Sequence, residues 1–189
     1  MAARRPARDK WKSKVWYEII APPEFGEKVI GETPASDPDL VVGRRVEVYA
    51  NDLTGNIRQS NMKLLLEIFQ VVGKTAKTRV IGYELSRSYL RSIVRRRRRK
   101  IELIRDFQTK DGKKVRIKAV AVTVRKCHTS QARDIRKKMG EILENRVGEM
   151  EFEELVRSII EYRLQQEMRE AAQKIYPIAN MEIRKVELL

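Results

Sequence analysis

The chain has 189 residues, 42% of them apolar and 35% charged, which suits one folded domain with a sizeable core and a charge-rich surface. Its 41 lysines and arginines exceed 26 acidic residues, and the formal net charge of +15 favours a polyanionic partner over a compact solitary monomer. No stretch approaches the roughly 18 apolar residues of a spanning helix, and the single cysteine, Cys127, excludes an internal disulfide.

Residues 1–14 form a basic arm with no apolar period, expected to be flexible and without the apolar run of a signal peptide. A cytoplasmic protein with no membrane partner is expected. Val15–Ala21 reads as a first strand, stopped by Pro22-Pro23, and the turn-forming residues through 39 predict a long irregular loop. Arg44–Tyr49 alternates like a strand that the turn DLTGN ends, and Lys63–Val72 with Lys77–Leu85 reads as a strand pair around Gly73.

Ser86 can cap a short helix carrying Leu90, Ile93 and Val94 on one face, with Arg95 onward at its C-terminal end, where cations suit the helix dipole. Ile101–Gln108 and Val115–Val124 flank Lys110-Asp111-Gly112 as a hairpin, and Arg116 and Lys118 make one face of that ribbon cationic. Thr129-Ser130 can cap a helix running to about Val147. A longer helix spans Phe152 to Ile175 before Pro177, and Met181–Leu188 returns as a last strand. The order predicts an α+β fold with one domain over 15–189.

No catalytic set emerges, so an enzyme is not expected, nor a cofactor. Cys127 and His128 are sequence neighbours without further Cys or His to complete a zinc site. Gly73-Lys74-Thr75 lacks the upstream glycine of a phosphate-binding loop, since position 68 is Ile68. Glu153-Glu154 opens a helix, where the dipole alone explains them.

The charge is uneven. Residues 1–140 carry a net +19 and residues 141–189 a net −4. Arg95, Arg96, Arg97, Arg98, Arg99 and Lys100 are six adjacent cations held between apolar segments, with Arg91 just before them. Arginine's planar fork matches phosphate oxygens. Arg136, Lys137 and Lys138 form a second cluster, and the arm supplies a third with Arg4, Arg5, Arg8, Lys10, Lys12 and Lys14. Lys113, Lys114 and Arg116 add charge to the hairpin, and Trp11 is a candidate base-stacking group. Clusters on several elements, without a helix-turn-helix, zinc-finger or aromatic RNA-binding-sheet signature, point to shape and phosphate recognition of structured RNA. A free RNA- or DNA-binding regulator is the alternative.

Seven blocks in order resemble one family. They are WYEIIAPPEF (16–25), GETPASDPDLVVGRRVEV (31–48), DLTG (52–55), SYLRSIVRRRRRKI (88–101), TKDG (109–112), TSQARDIRKKMGEIL (129–143) and IYPIANMEIRKVELL (175–189). The chain is similar to the small-subunit ribosomal proteins of archaea and eukaryotes called S-three-a-e or e-S-one, and it resembles the archaeal type because it lacks the lysine-rich C-terminal extension of eukaryotic members. The resemblance implies a β-barrel-like mixed sheet with flanking helices. It also implies a structural role in the small (30S) ribosomal subunit in translation, with small-subunit rRNA bound on the platform near the mRNA exit. Neighbouring platform proteins are the implied protein partners, with mRNA and initiation factors as candidates. The acidic helices around Glu141–Glu161 are expected to face solvent or protein.

Overall fold

The computed structural model describes Trp11 and residues 14–189. Among these lie eight strands and five α-helices, the α+β class expected. They form two compact units, one made of the chain up to Val46 with Leu66–Val80, the other of Glu47–Leu65 with Ile81–Leu189.

The first unit is built on β1 (Val15–Ile20) and β2 (Val29–Ala35), antiparallel from Val15↔Ala35 to Ile20↔Val29 with a bulge at Ile19/Ile20. The predicted irregular loop over 22–39 is therefore corrected, because it holds a strand. Pro34 is tolerated there since β2 pairs on one side only, and at an edge a missing N–H breaks no ladder bond. Along β1, Tyr17 and Ile19 turn inward onto Ala35, Val41, Ile68 and Ala76, while Trp16 and Glu18 point outward. β4 (Met62–Val72) and β5 (Thr75–Leu85) are joined at Gly73-Lys74, with Gly73 at φ 62° supplying the left-handed turn, and β1 runs parallel to β5 from Glu18↔Thr75. Gly73-Lys74-Thr75 is thus hairpin backbone, and the Lys74 carbonyl accepts the Glu18 N–H at 2.8 Å.

β3 (Arg45–Tyr49) pairs with β4, and the DLTGN turn after it is a short helix, α1 (Ala50–Thr54), stopped by Gly55 at φ 75°. In the second unit β6 (Lys100–Gln108), β7 (Lys114–Thr123) and β8 (Ile178–Leu188) run antiparallel in that order, and β8 pairs with β5 over Gly82↔Glu187 to Glu84↔Lys185. β7 alternates only at its start. From Ala119 to Thr123 every residue is buried, so both faces of the strand are covered there. On one face Val120 and Val122 meet Ile93, Tyr89 and Leu90 of α2 (Arg87–Ile93). α3 (Thr129–Glu149) buries Ile135, Met139, Leu143 and Val147, a stripe at four-residue spacing, and packs against β6.

The long C-terminal helix expected from 152 to 175 is corrected to two, α4 (Phe152–Ile160) and α5 (Arg163–Gln173). Two buried amides explain the break. Gln59 Nε2 donates to the Ile160 carbonyl at 3.1 Å and Gln165 Nε2 to the Ile159 carbonyl at 2.8 Å. Carbonyls left over at a helix end need such donors. Tyr162 then takes a left-handed conformation, φ 62°, and re-aims the chain into α5, which packs on β8.

Glu182 of β8 is 4% exposed, and its Oε1 accepts the Tyr89 hydroxyl at 3.0 Å. Burial pushes its carboxyl up to about 7, partly opposed by that hydrogen bond. Burial beside it likewise raises the Tyr83 and Tyr89 hydroxyls well above the ordinary phenol value and Tyr162 to about 12.

Two outcomes are expected. Gly82→Ala sets a Cβ 2.8 Å from the Val186 carbonyl across the β5–β8 pair, so urea denaturation should report a loss of about 1–3 kcal/mol. Glu182 keeps a proton in the fold that it releases when unfolded, so its favourable contribution is present below the unfolded carboxyl value and is lost as pH rises from about 4.5 through about 7. Glu182→Gln, which stays neutral, should gain on the parent over that window by on the order of 1–3 kcal/mol, with no gain below it.

Candidate nucleic-acid interface

The β6–β7 register places Lys100 opposite Val122, so the segment entering β6 and the segment leaving β7 emerge side by side. The first is the arginine run. α2 stops at Ile93, which is buried, and Val94 turns extended at φ −86°, ψ 102°. Arg95–Arg99 therefore lie in a loop, which corrects their expected place on the end of that helix. The Arg98 N–H donates to the Arg95 carbonyl at 3.3 Å across a turn that holds Arg97 at φ 65°. A non-glycine residue there costs about 1 kcal/mol, so the surroundings must impose it.

The imposing contacts divide the six cations into two groups. The Arg99 N–H donates to Thr123 Oγ1 at 3.0 Å, and its guanidinium donates to the Cys127 carbonyl at 2.9 Å and to Thr129 Oγ1 at 3.4 Å. Arg98 reaches back to the Ile93 carbonyl at 3.5 Å, and Lys100 pairs with Glu102 at 2.7 Å. These three fasten the loop. Arg95 touches only the Ser92 carbonyl, at 3.4 Å, while Arg96 and Arg97 are exposed and their side chains bond to nothing among the described residues.

The segment leaving β7 carries two cations that the sequence reading passed over, Arg125 and Lys126. Both are exposed and without a salt bridge among the described residues. Their backbone is fixed, since Thr123 Oγ1 donates to the Arg125 carbonyl and the Tyr176 hydroxyl to that of Lys126. The signal for them was positional, a basic pair at the strand end opposite the arginine run. α3 then starts from His128 rather than from Thr129-Ser130, and the His128 N–H donates to Gln131 Oε1 at 3.0 Å. Cys127 is buried and His128 exposed. Among the described residues no group of three His, Cys, Asp or Glu side chains is placed to hold a metal ion.

Arg136 stands seven residues beyond Thr129, about 10 Å along α3. Its Nε donates to the Glu102 carbonyl at 2.9 Å, so the second cluster is tied to β6 beside the loop. Lys137 is exposed and unpaired among the described residues, and Lys138 pairs with Glu141 at 3.1 Å. Arg133, Arg136 and Lys137 line a cavity of about 720 Å³ against Leu103 and Ile104.

Other predicted residues stay apart. Lys113, Lys114 and Arg116 lie toward the far end of the hairpin, eight ribbon residues from Lys100 to the Gln108↔Lys114 pair, or about 27 Å. Arg116 makes a two-pronged bond to Asp106 at 2.6 and 2.8 Å, which lowers the Asp106 carboxyl and raises the Arg116 guanidinium. Lys113 pairs with Asp111 at 3.5 Å and Lys118 with Glu187 at 2.7 Å. The expected cationic ribbon face is corrected, because acids across the strands balance it. Lys114 is exposed at the start of β7. Arg91 lines a separate cavity of about 420 Å³ with Arg87, Lys118, Arg184 and Lys185, a basic group spread over three elements and therefore invisible as a run. In the first unit Lys14 Nζ sits 3.9 Å from the Trp11 ring centroid. Arg4, Arg5, Arg8, Lys10 and Lys12 lie outside the described residues.

Arg96→Ala should leave stability within about 0.5 kcal/mol of the parent in thermal unfolding. Arg99→Ala, which unties the loop, should cost about 1–2 kcal/mol and speed hydrogen exchange at the Arg98 and Arg99 amides.

The sequence model of the Ribosomal S3Ae family matches residues 2–189. The chain is 44% identical to the small ribosomal subunit protein eS1 of Desulfurococcus amylolyticus over 186 residues, covering 98% of this chain and 87% of that protein. It is 44% identical to the protein of the same name from Staphylothermus marinus, covering all of this chain and 90% of that one. With the eS1 of Methanopyrus kandleri the identity is 43% over 96% of this chain and 88% of the other. A family match over residues 2–189 and relatives 44% identical over nearly their whole length make this chain a member of the Ribosomal S3Ae family.

Proposed function

We propose that this protein is a structural constituent of the small ribosomal subunit, working in translation in the cytoplasm, and that it binds small-subunit rRNA on the platform near the mRNA exit. Its role is architectural and not catalytic. The observation that carries the rRNA contact is the cation group on fixed backbone at one end of the β6–β7 hairpin: Arg95, Arg96 and Arg97 from one strand end, Arg125 and Lys126 from the other. Arg136 and Lys137 stand a short way along α3. None of the seven forms a salt bridge among the described residues, so each keeps its charge for an outside anion.

Phosphate is the anion that fits. Guanidinium forks donate to two phosphate oxygens at once, and the exposed positions lie on a loop, a strand exit and a helix, as needed for a folded RNA surface. Arg98, Arg99 and Lys100 act one step back by holding the loop in place. Lys113 and Arg116, being paired within the chain, contribute little net attraction, whereas Lys114 and the Arg91 cavity offer secondary contacts. Platform proteins are the proposed protein neighbours, with mRNA and initiation factors as further partners.

The test is sedimentation of tagged protein in low and high salt, followed by binding to rRNA fragments. Most of the protein should travel with the small subunit at low salt. Protein left at the top of the gradient would instead mark a free nucleic-acid binder. Replacing Arg95, Arg96 and Arg97 together with alanine should flatten the plot of log affinity against log salt by about 2 to 3, while Arg116→Ala should change it by less than about 1.

A further inference from the structure

α3 lies along β6, and between them the second unit has the cavity of about 720 Å³, within the roughly 300–1,000 Å³ that small-ligand sites occupy. α3 lends it Arg133, Arg136 and Lys137, which share one helix face at three- and four-residue spacing. β6 lends it Leu103 and Ile104, and Ile104 is 56% exposed.

β6 is also an edge of its sheet, since it pairs with β7 alone. The Thr123 N–H donates to the Arg99 carbonyl at 3.0 Å, so Arg99 turns its backbone toward β7. The register runs on from Lys100 to Gln108 without a bulge. Ile101 and Leu103 therefore do the same, and Glu102 and Ile104 turn theirs to the open edge. The Glu102 carbonyl follows that alternation, accepting from Arg136 of α3 rather than from β7. Two residues on, the Ile104 N–H and C=O face the same open side, and no loop backbone or side chain among the described residues bonds to them.

We infer that this cavity receives an unpaired base of the bound RNA, turned out of its stack, with the Ile104 N–H and C=O pairing to the base edge. Every nucleobase carries a donor beside an acceptor on its Watson–Crick edge, which an outward-facing strand N–H and C=O can meet. The Ile104 side chain supplies apolar contact to the ring. The Arg136 guanidinium, its Nε held on the Glu102 carbonyl, supplies a plane for stacking. Charge favours a nucleotide over a protein strand added to the same edge. Glu141 is held by Lys138, Glu144 by Arg105, and Glu102 by Lys100 and Arg184, which leaves Arg136 and Lys137 for the flanking phosphates. The inference rests on the RNA reading of this interface and deepens it: the ligand is a bulged or single-stranded segment, not duplex phosphate alone.

The full-length chain, carbon-13 labelled at its isoleucine methyls, is titrated with RNA hairpins that carry one bulged nucleotide. Each of the four bases is compared with an abasic bulge, which keeps every phosphate. At least one base should bind about tenfold more tightly than the abasic hairpin. It should also move the Ile104 methyl upfield by its ring current, which the abasic hairpin does not. Ile104→Asp sets a carboxylate in the cavity wall and should bring that affinity ratio down to about one. A base preference that leaves the Ile104 methyl in place, or that survives Ile104→Asp, overturns the inference. Equal binding of base and abasic hairpins sinks the cavity alone, whereas failure of every hairpin to bind sinks the RNA reading with it. A photo-crosslinker at Glu144, on the cavity rim, is then placed in small subunits. It should join an unpaired rRNA nucleotide; an adduct with a protein overturns the inference, since a strand would then hold the edge. Sedimentation is scored separately, so failure to enter subunits counts against the ribosomal reading while the hairpin titration still decides the cavity.

Discussion

The constraint on which the rest depends is the mutual repulsion of Arg95–Lys100. Two unit charges about 4 Å apart repel by about 1 kcal/mol in water and about 4 kcal/mol near a protein surface. A free tail would relax this by spreading. Here Ile93 is packed on Val120 and Val122 at one end, and Lys100 is locked opposite Val122 at the other. The run has to turn within five residues. It does so by spending Arg98 and Arg99 on backbone carbonyls and Lys100 on Glu102, leaving Arg95–Arg97 to fan outward from a turn that holds Arg97 left-handed. Hydrogen bonds to neutral carbonyls do not cancel the charge of Arg98 and Arg99. They only fix where it is, and the electrostatic cost stands until an anion arrives.

The same reasoning explains why the rest of the sheet, in spite of its many cations, presents a weaker positive field to an outside anion. Asp106 holds Arg116, Glu187 holds Lys118 and Lys185, and Glu102 holds both Lys100 and Arg184. These pairs are partly solvent-exposed, and each adds little stability. Their effect is on the field, since a paired cation attracts phosphate weakly. A net charge of +15 thus overstates the ribbon and understates the loop. Among the cations left unbalanced, Arg95, Arg96, Arg97, Arg125 and Lys126 gather where β6 begins and β7 ends.

Much of this was legible because it was local. The hairpin around Lys110-Asp111-Gly112, the apolar stripe of α3 and the strand before the C-terminus follow from period and turn chemistry over a few residues. The features missed depend on partners distant in sequence. β2 exists because Val15–Ile20 offers it an edge, which turn residues alone conceal. The break at Tyr162 needs the Gln59 amide, from the other side of the chain, to cap α4. The pairing of Arg116 with Asp106 is a register fact, visible only once Asp106↔Arg116 is known. Arg125 and Lys126 escaped because two cations do not make a run; their weight comes from lying across the ladder from five arginines.

The acidic end of the chain completes the electrostatics. Glu161 is shared by Arg157 and Arg163, and Glu167 is taken by Arg146, so much of the C-terminal acidity is consumed inside the helices. Glu151, Glu153 and Glu154 remain at the start of α4, exposed and without a salt bridge among the described residues. Their position at a helix N-terminus makes them inexpensive for the fold. A surface that only attracted phosphate would hold RNA in many poses, because phosphate contacts carry little directional information. A surface that also repels it excludes the poses that bring α4 against the backbone. In the proposed rRNA contact the cations of the loop would supply attraction, and the carboxylates of α4 would narrow the set of orientations in which that attraction is used.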